Sequence, residues 1–162
     1  MPKHAELPSE LQQQITAAIV SSRRLDEVIL RGHLYVEYCL NELILARWSN
    51  KGIQIVERFT FDQKIAIADG TGIIDDAKVI KSLKGLNKLR NMIAHSLFPS
   101  GLKKETLSTE LTIPESEQTE EDAGYRCKMI VIALCVSLAG RTGAKDGGVP
   151  EWLTNLPHEL PE

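Results

Sequence analysis

The stretch DEVILRGHLYVEYCLNELILARW, residues 26–48, constrains the fold more than any other part of this 162-residue chain. Taken at 100° per residue, it predicts one long helix whose apolar side chains cover much of its circumference. A helix of this kind lies at the centre of a bundle or is buried by a second subunit. The sequence leaves both alternatives open, and in each of them the long helix is the central element of the fold.

Capping and breaking residues divide the rest of the chain into further helices. A helix start is predicted where Ser, Thr or Asp precedes a periodic apolar stretch, and an end where Gly or Pro follows one. Besides the long helix, the predicted helices span residues 8–22, 59–73 (capped by Thr60 or Asp62, stopped by Gly70 and Gly72), 75–96 (capped by Asp75 or Asp76) and 120–140. The predicted fold is therefore an all-α, up-and-down bundle of four to five helices.

Two segments depart from this helical pattern. Residues 99–119 are polar, contain Pro99, Gly101 and Pro114, and predict either a short strand or mostly loop. Residues 141–162 are rich in Gly and Pro and are expected to be extended or mobile. The chain is interpreted as one helical domain, residues 1–140, followed by a C-terminal tail, residues 141–162.

Charge and cysteine content narrow the classes of function. The net charge is −3 at pH 7, so no protein-wide basic field attracts nucleic acid, and any RNA contact needs a local basic patch. The three cysteines form no CxxC pair, which argues against structural zinc, and the sequence shows no other metal-ligand cluster. The longest apolar run, residues 129–140, is too short to cross a bilayer, and the N-terminus lacks the apolar core of a signal peptide. We expect a cytoplasmic protein without membrane association, metal or cofactor.

The helix predicted from residue 75 to 96 has two chemically different faces, because residues three, four or seven apart lie on the same side of a helix. One face carries three lysines, an amide and an imidazole, from Lys81, Lys84, Lys88, Asn91 and His95. The opposite face is apolar, with Arg90 in its middle, and holds Val79, Leu83, Leu86, Ile93 and Leu97. The lysines are interpreted either as an ordinary solvated face or, if RNA is the ligand, as the surface that binds it.

Arg90 needs a partner on that apolar face, because an uncompensated buried charge is costly. Glu37 on the long helix is the best local candidate, since its own neighbours are apolar. We therefore predict an Arg90–Glu37 ion pair that links the two helices. Arg90 and His95 lie roughly 140° apart around the axis, so a site that uses both needs a groove reached from both edges, or a second subunit.

The stretch RNMIAH, residues 90–95, resembles the R-polar-x3-H motif of HEPN domains (higher eukaryotes and prokaryotes nucleotide-binding). The preceding LNKL, the upstream RGHLYVEYCLNELI and the intervening FDQKIAIA also resemble bacterial members of that superfamily. The similarity covers residues 25–97 and the order of the helices, and leaves out residues 99–119 and the tail. It implies a bundle of four or five helices that usually forms a homodimer.

The resemblance also implies an activity. Many HEPN domains are metal-independent endoribonucleases of toxin or defence type, in which the motif Arg and His of two protomers face a shared cleft. Carried over to this chain, Arg90 would bind or polarise the scissile phosphate and His95 would be general acid or base. Asn91 would orient His95 or the phosphate. Attack by a ribose 2′-hydroxyl needs proton transfer near neutral pH, which suits imidazole, and a fixed positive charge, which Arg supplies.

Three interpretations stay open from the sequence. The first is a metal-independent endoribonuclease that cleaves RNA and has an antitoxin or nucleotidyltransferase as its partner. The second is a non-catalytic interaction or regulatory module that binds a protein partner or a nucleotide, as some members of the superfamily do. In the third, Arg90, Asn91 and His95 form only a structural polar cluster at a helix end. In all three, His33 is taken as a surface or interface histidine.

Overall fold

A computed structural model describes residues 9–48, 53–95, 106, 110–111 and 120–143, and the regular structure in these residues is entirely α-helical. The helices are α1 (Ser9–Ser21), α2 (Leu25–Arg47), α3 (Ile53–Val56), α4 (Phe61–Gly70), α5 (Ala77–His95) and α6 (Glu120–Gly143). The predicted all-α bundle is confirmed, with α2 as the long helix and α3 as an additional short turn. Thr106, Glu110 and Leu111 also have helical backbone, so a strand is not supported at these described positions of the 99–119 segment.

The long helix α2 is the element against which the others pack. It contacts α1, α4, α5 and, most extensively, α6. Its buried residues are Val28, Ile29, Gly32, His33, Tyr35, Val36, Cys39, Leu40, Leu43, Ile44 and Leu45. They cover about half of its circumference, and Leu30 and Leu34 on the remaining side are exposed. The helix is therefore central, as predicted, but one apolar strip of it is not covered by the described part of this chain.

The close packing of α2 against α6 depends on a glycine. A Cβ atom at Gly32 would overlap the Cγ1 methyl of Val131. The Sγ atom of Cys135, one turn further along α6, lies 4.0 Å from the carbonyl oxygen of Gly32. Because Gly32 has no side chain, the two helices approach closely enough to bury both residues of α6 in the main core.

Side-chain caps fix the starts of α4 and α5. The Gln63 N–H donates to Oγ1 of Thr60 at 3.3 Å, and the Thr60 N–H donates to Oε1 of Gln63 at 2.8 Å. This reciprocal pair is a capping box. The Lys78 N–H donates to Oδ1 of Asp76 at 2.8 Å. Of the alternatives open from the sequence, Thr60 is thus the cap of α4 and Asp76 that of α5.

The last helix is longer than predicted. It continues to Gly143, past the predicted end at residue 140. Within its last turn, Nη1 of Arg141 lies 3.4 Å from Oδ1 of Asp75, at the start of α5. The last helix therefore includes residues 141–143 of the predicted tail, and residues 144–162 lie outside the described part of the chain. None of the helices in the described part has the length and hydrophobicity needed to cross a membrane.

Candidate functional site

The last turns of α5 carry the three residues of the predicted motif. Arg90 and His95 are exposed, and Asn91 is half-buried. The Arg90 guanidinium donates through Nη1 to Oδ1 of Asn91 at 3.0 Å. Arg90 and Asn91 are thus in contact, and the amide nitrogen of Asn91 is the group that can donate towards His95, one turn further along the helix.

The predicted lysine face of α5 lies at the surface. We use this name for Lys81, Lys84, Lys88, Asn91 and His95, which follow one another at intervals of three or four residues. All three lysines are exposed. Lys88 is in an ion pair, with Nζ 2.5 Å from Oε1 of Glu110. The face is therefore a row of cations that ends at an exposed imidazole.

Glu110 and Leu111 pack beside the middle of this face, against Gly85 and Lys88. The carbonyl oxygen of Glu110 is so close to Gly85 that a Cβ atom at Gly85 would overlap it. Leu111 is buried and belongs to the main core. The sequence did not locate this segment, although a glycine inside an otherwise regular helix, which costs about 1 kcal/mol relative to Ala, was a signal of close backbone approach.

The predicted ion pair between Arg90 and Glu37 is wrong. Glu37 is paired with Lys64 instead, whose Nζ donates to Oε1 of Glu37 at 2.6 Å. The side chain of Arg90 is exposed and bonds to Asn91. Arg90 does lie in line with the apolar residues along α5. It is near the end of that helix, however, where its side chain is exposed to solvent. The buried cation is Lys64 of α4, and no pattern within α2 or α5 indicates its position beside Glu37.

A polar network links α2, α4 and α5, with His33 and Asn87 buried in the interior and Asp62 at the surface. The Nε2 atom of His33 lies 3.2 Å from Oδ1 of Asn87, and Nδ2 of Asn87 donates to Oδ1 of Asp62 at 2.8 Å. The His33 ring also packs on the ring of Phe61, with centroids 4.2 Å apart. Since Oδ1 of Asn87 can only accept, His33 is the donor in this bond. The interpretation of His33 as a surface or interface histidine is therefore wrong, because only 4% of it is exposed.

Burial lowers the pKa of His33 below its ordinary value of 6.5. The hydrogen bond to Asn87 and the charge of Glu37 act in the opposite direction, while Arg90 and Lys64 add to the lowering. The imidazole is consequently neutral at pH 7.

Sequence reasoning missed Asn87 and Asp62 of this network and Lys64 of the neighbouring ion pair with Glu37, and it placed His33 at the surface. One signal was present, because His33 and Asn87 are polar residues at positions that the helical period assigns to a buried face. Glu37 carries the same signal, and the structure places it beside a cation. What was missing was the third helix, α4, which supplies both Lys64 and Asp62.

Comparison of the chain with protein-family models, with curated proteins and with solved structures finds no significant match. The resemblance to HEPN domains therefore stays a prediction from the motif and its context. Among the described residues, no group of three or more His, Cys, Asp or Glu side chains is arranged to hold a metal ion.

Proposed function

We propose that this protein is a metal-independent endoribonuclease that cleaves RNA by attack of a ribose 2′-hydroxyl on the adjacent phosphate. The observation that supports this proposal is the hydrogen-bonded pair of an exposed Arg90 and a half-buried Asn91, which lies with an exposed His95 at the end of a row of lysines. In this proposal RNA lies along the lysine face and the chemistry takes place at the end of α5.

Arg90 is the residue proposed to stabilise the transition state. Its Nη1 is held by Asn91, so the guanidinium is oriented while its other N–H groups remain able to bind a phosphate. A guanidinium keeps its charge at all relevant pH values and offers paired donors to two phosphate oxygens. It would bind the phosphorane oxygens more strongly than those of the ground state, which is the requirement for catalysis.

His95 is the residue proposed to move the proton. An exposed imidazole can accept the 2′-hydroxyl proton, or donate one to the leaving 5′-oxygen, because its ring nitrogens can both take up and release a proton. One imidazole cannot do both in a single step. We propose that a second copy of the chain supplies the other group across a two-fold axis, as a homodimer with the motif residues of both protomers in one cleft.

RNA cleavage in excess EDTA tests this proposal, with wild-type protein beside His95→Ala and Arg90→Ala. We expect wild type to cleave single-stranded RNA and to leave a 2′,3′-cyclic phosphate. Each substitution should lower the rate about 100-fold or more. The matched control is Arg47→Ala, because Arg47 is also exposed but lies at the far end of α2 from His33. Cleavage that persists in His95→Ala, or that EDTA abolishes in wild type, would contradict the proposal.

A second candidate function is a non-catalytic module that binds a protein partner, such as an antitoxin or a nucleotidyltransferase. The observation in its favour is the uncovered apolar strip on α2, where Leu34 is 68% exposed and Leu30 lies one turn before it. Exposed apolar side chains that lie together are typical of interaction surfaces. If wild type and His95→Ala are equally inert on several RNAs, this second function is favoured.

A further inference from the structure

Glu110 is held in place by its neighbours in the fold as well as by its ion pair with Lys88. Its backbone contacts Gly85 directly, and the next residue, Leu111, is buried in the main core. The side chain of Glu110 is 15% exposed, whereas that of Lys88 is 63% exposed. Holding the carboxylate beside Lys88 therefore costs little additional conformational entropy.

A carboxylate held in this way competes with any anion that approaches Lys88. A free carboxylate would have to be present at a high concentration to do the same, because tethering makes the interaction intramolecular. The competition acts in the middle of the lysine face: Lys81 and Lys84 precede the contact, and Asn91 and His95 follow it. With Glu110 in position, the cation nearest to His95 on this face is already neutralised.

We propose that Glu110 is an autoinhibitory residue that occupies Lys88 in place of an RNA phosphate. This inference rests on the proposed function, since it assumes that RNA lies along the lysine face. RNA then binds the full face only when a phosphate takes over Lys88 from the carboxylate. Glu110 thus lowers the affinity for RNA in general and limits the ligands to those with enough phosphates to engage Lys81 and Lys84 as well.

The test compares RNA binding by wild type, Glu110→Gln and Glu57→Gln. Glu57 is exposed in the turn after α3, so Glu57→Gln makes the same chemical change and the same change of net charge away from the lysine face. The probe is a fluorescent 2′-O-methyl oligouridine, which offers phosphates but no 2′-hydroxyl to attack. Binding is followed by fluorescence anisotropy over a range of salt concentrations.

Glu110→Gln should bind about threefold to fivefold more tightly than wild type, as expected for release of one exposed ion pair. Because one more lysine then meets a phosphate, the plot of log affinity against log salt should become steeper by about 0.7. Glu57→Gln should match wild type in both respects. Equal affinities and slopes for Glu110→Gln and Glu57→Gln would overturn the inference and leave the nuclease proposal standing.

Amine labelling without RNA separates this inference from the proposed function. Acetylation followed by mass spectrometry gives the reactivity of Lys88 relative to Lys84 in the same molecule. Lys88 should react several-fold more slowly than Lys84 in wild type and at a similar rate in Glu110→Gln. Equal reactivity in wild type would overturn the inference. If Glu110→Gln raises the reactivity of Lys88 to that of Lys84 but no variant binds RNA, the proposed function is overturned. RNA is then also not the ligand that Glu110 excludes.

Discussion

His33 keeps its imidazole inside the bundle, against the ring of Phe61 and the amide of Asn87. Burial lowers the pKa of this imidazole in the folded protein. Between the ordinary value of 6.5 and the lowered one, the unfolded chain binds a proton that the folded chain does not. The contribution of neutral His33 to stability is thus fully present above pH 6.5, and it is lost as the pH falls towards the folded-state pKa.

We predict that the free energy of unfolding falls between about pH 7.5 and about pH 5.5, and that His33→Gln falls less over the same range. Glutamine has an amide N–H that can still donate to Asn87, but it does not titrate. Urea unfolding followed by circular dichroism at the two pH values measures both slopes. Identical pH dependence in wild type and His33→Gln would show that protonation of His33 does not destabilise the fold.

The Glu37–Lys64 pair is asymmetric, because Lys64 is 2% exposed while the Glu37 side chain is 30% exposed. Removing the carboxylate leaves an ammonium in the interior, whereas removing the ammonium leaves a carboxylate that water can reach. We predict that Glu37→Gln lowers the free energy of unfolding by about 3 kcal/mol and Lys64→Met by clearly less. The double variant should be more stable than Glu37→Gln alone. Equal losses in the two single variants would contradict this assignment of the buried charge.

At the scale of the helices, the contact of α2 with α6 predicts opposite effects for the same substitution at two glycines. A methyl group at Gly32 would overlap Val131, but nothing lies within 4 Å of a Cβ atom at Gly70, the last residue of α4. We predict that Gly32→Ala destabilises the protein by about 2 kcal/mol through overpacking. Gly70→Ala should be neutral or slightly stabilising, because it only restricts the unfolded chain. Chemical denaturation of both variants checks the pair, and similar values would argue against close packing at Gly32.

Local patterns predicted the helices and their caps well, but they did not predict which residues of different helices meet. Thr60 and Asp76 cap their helices through residues two or three positions away, so both partners of each bond lie in the same short stretch of sequence. Lys64 and Glu37 meet only because α4 lies beside α2. The helical wheel of a single helix does not show which other helix packs against it. The lysine face of α5 was predicted for the same reason as the caps, whereas its contact with Glu110 depends on where a distant segment packs.

At the scale of the whole molecule, three buried thiols report on the opening of the core. Cys39, Cys127 and Cys135 are all free and buried, and they belong to the same cluster. Burial raises the pKa of Cys39 and of Cys127 to about 12, and that of Cys135 is also raised. Few thiolates therefore form in the folded protein, and the sulfur atoms are out of reach of a reagent.

We predict that none of the three thiols reacts with a thiol reagent in the folded protein at pH 8 on the timescale of minutes. All three should react together when urea unfolds the chain, at a rate that follows the unfolded fraction. The control is Leu34→Cys, which adds a thiol at an exposed position of α2 and should react at once in the folded state. Rapid reaction of one native cysteine without urea would mean that its helix opens independently of the others.

The hydrogen bonds of Asn87 have a consequence for how many arrangements the bundle can adopt. Contacts between leucine, isoleucine and valine are not directional, so a helix in an apolar bundle can slide by one turn, about 5.4 Å, and still be buried. Such a slide of α5 would break its bonds to both His33 and Asp62 and leave polar groups without partners in the interior. We expect the network to fix the register of α5, because shifted arrangements of this helix lose these hydrogen bonds. The end of α5, with Arg90 and His95, then has a single position relative to the rest of the molecule.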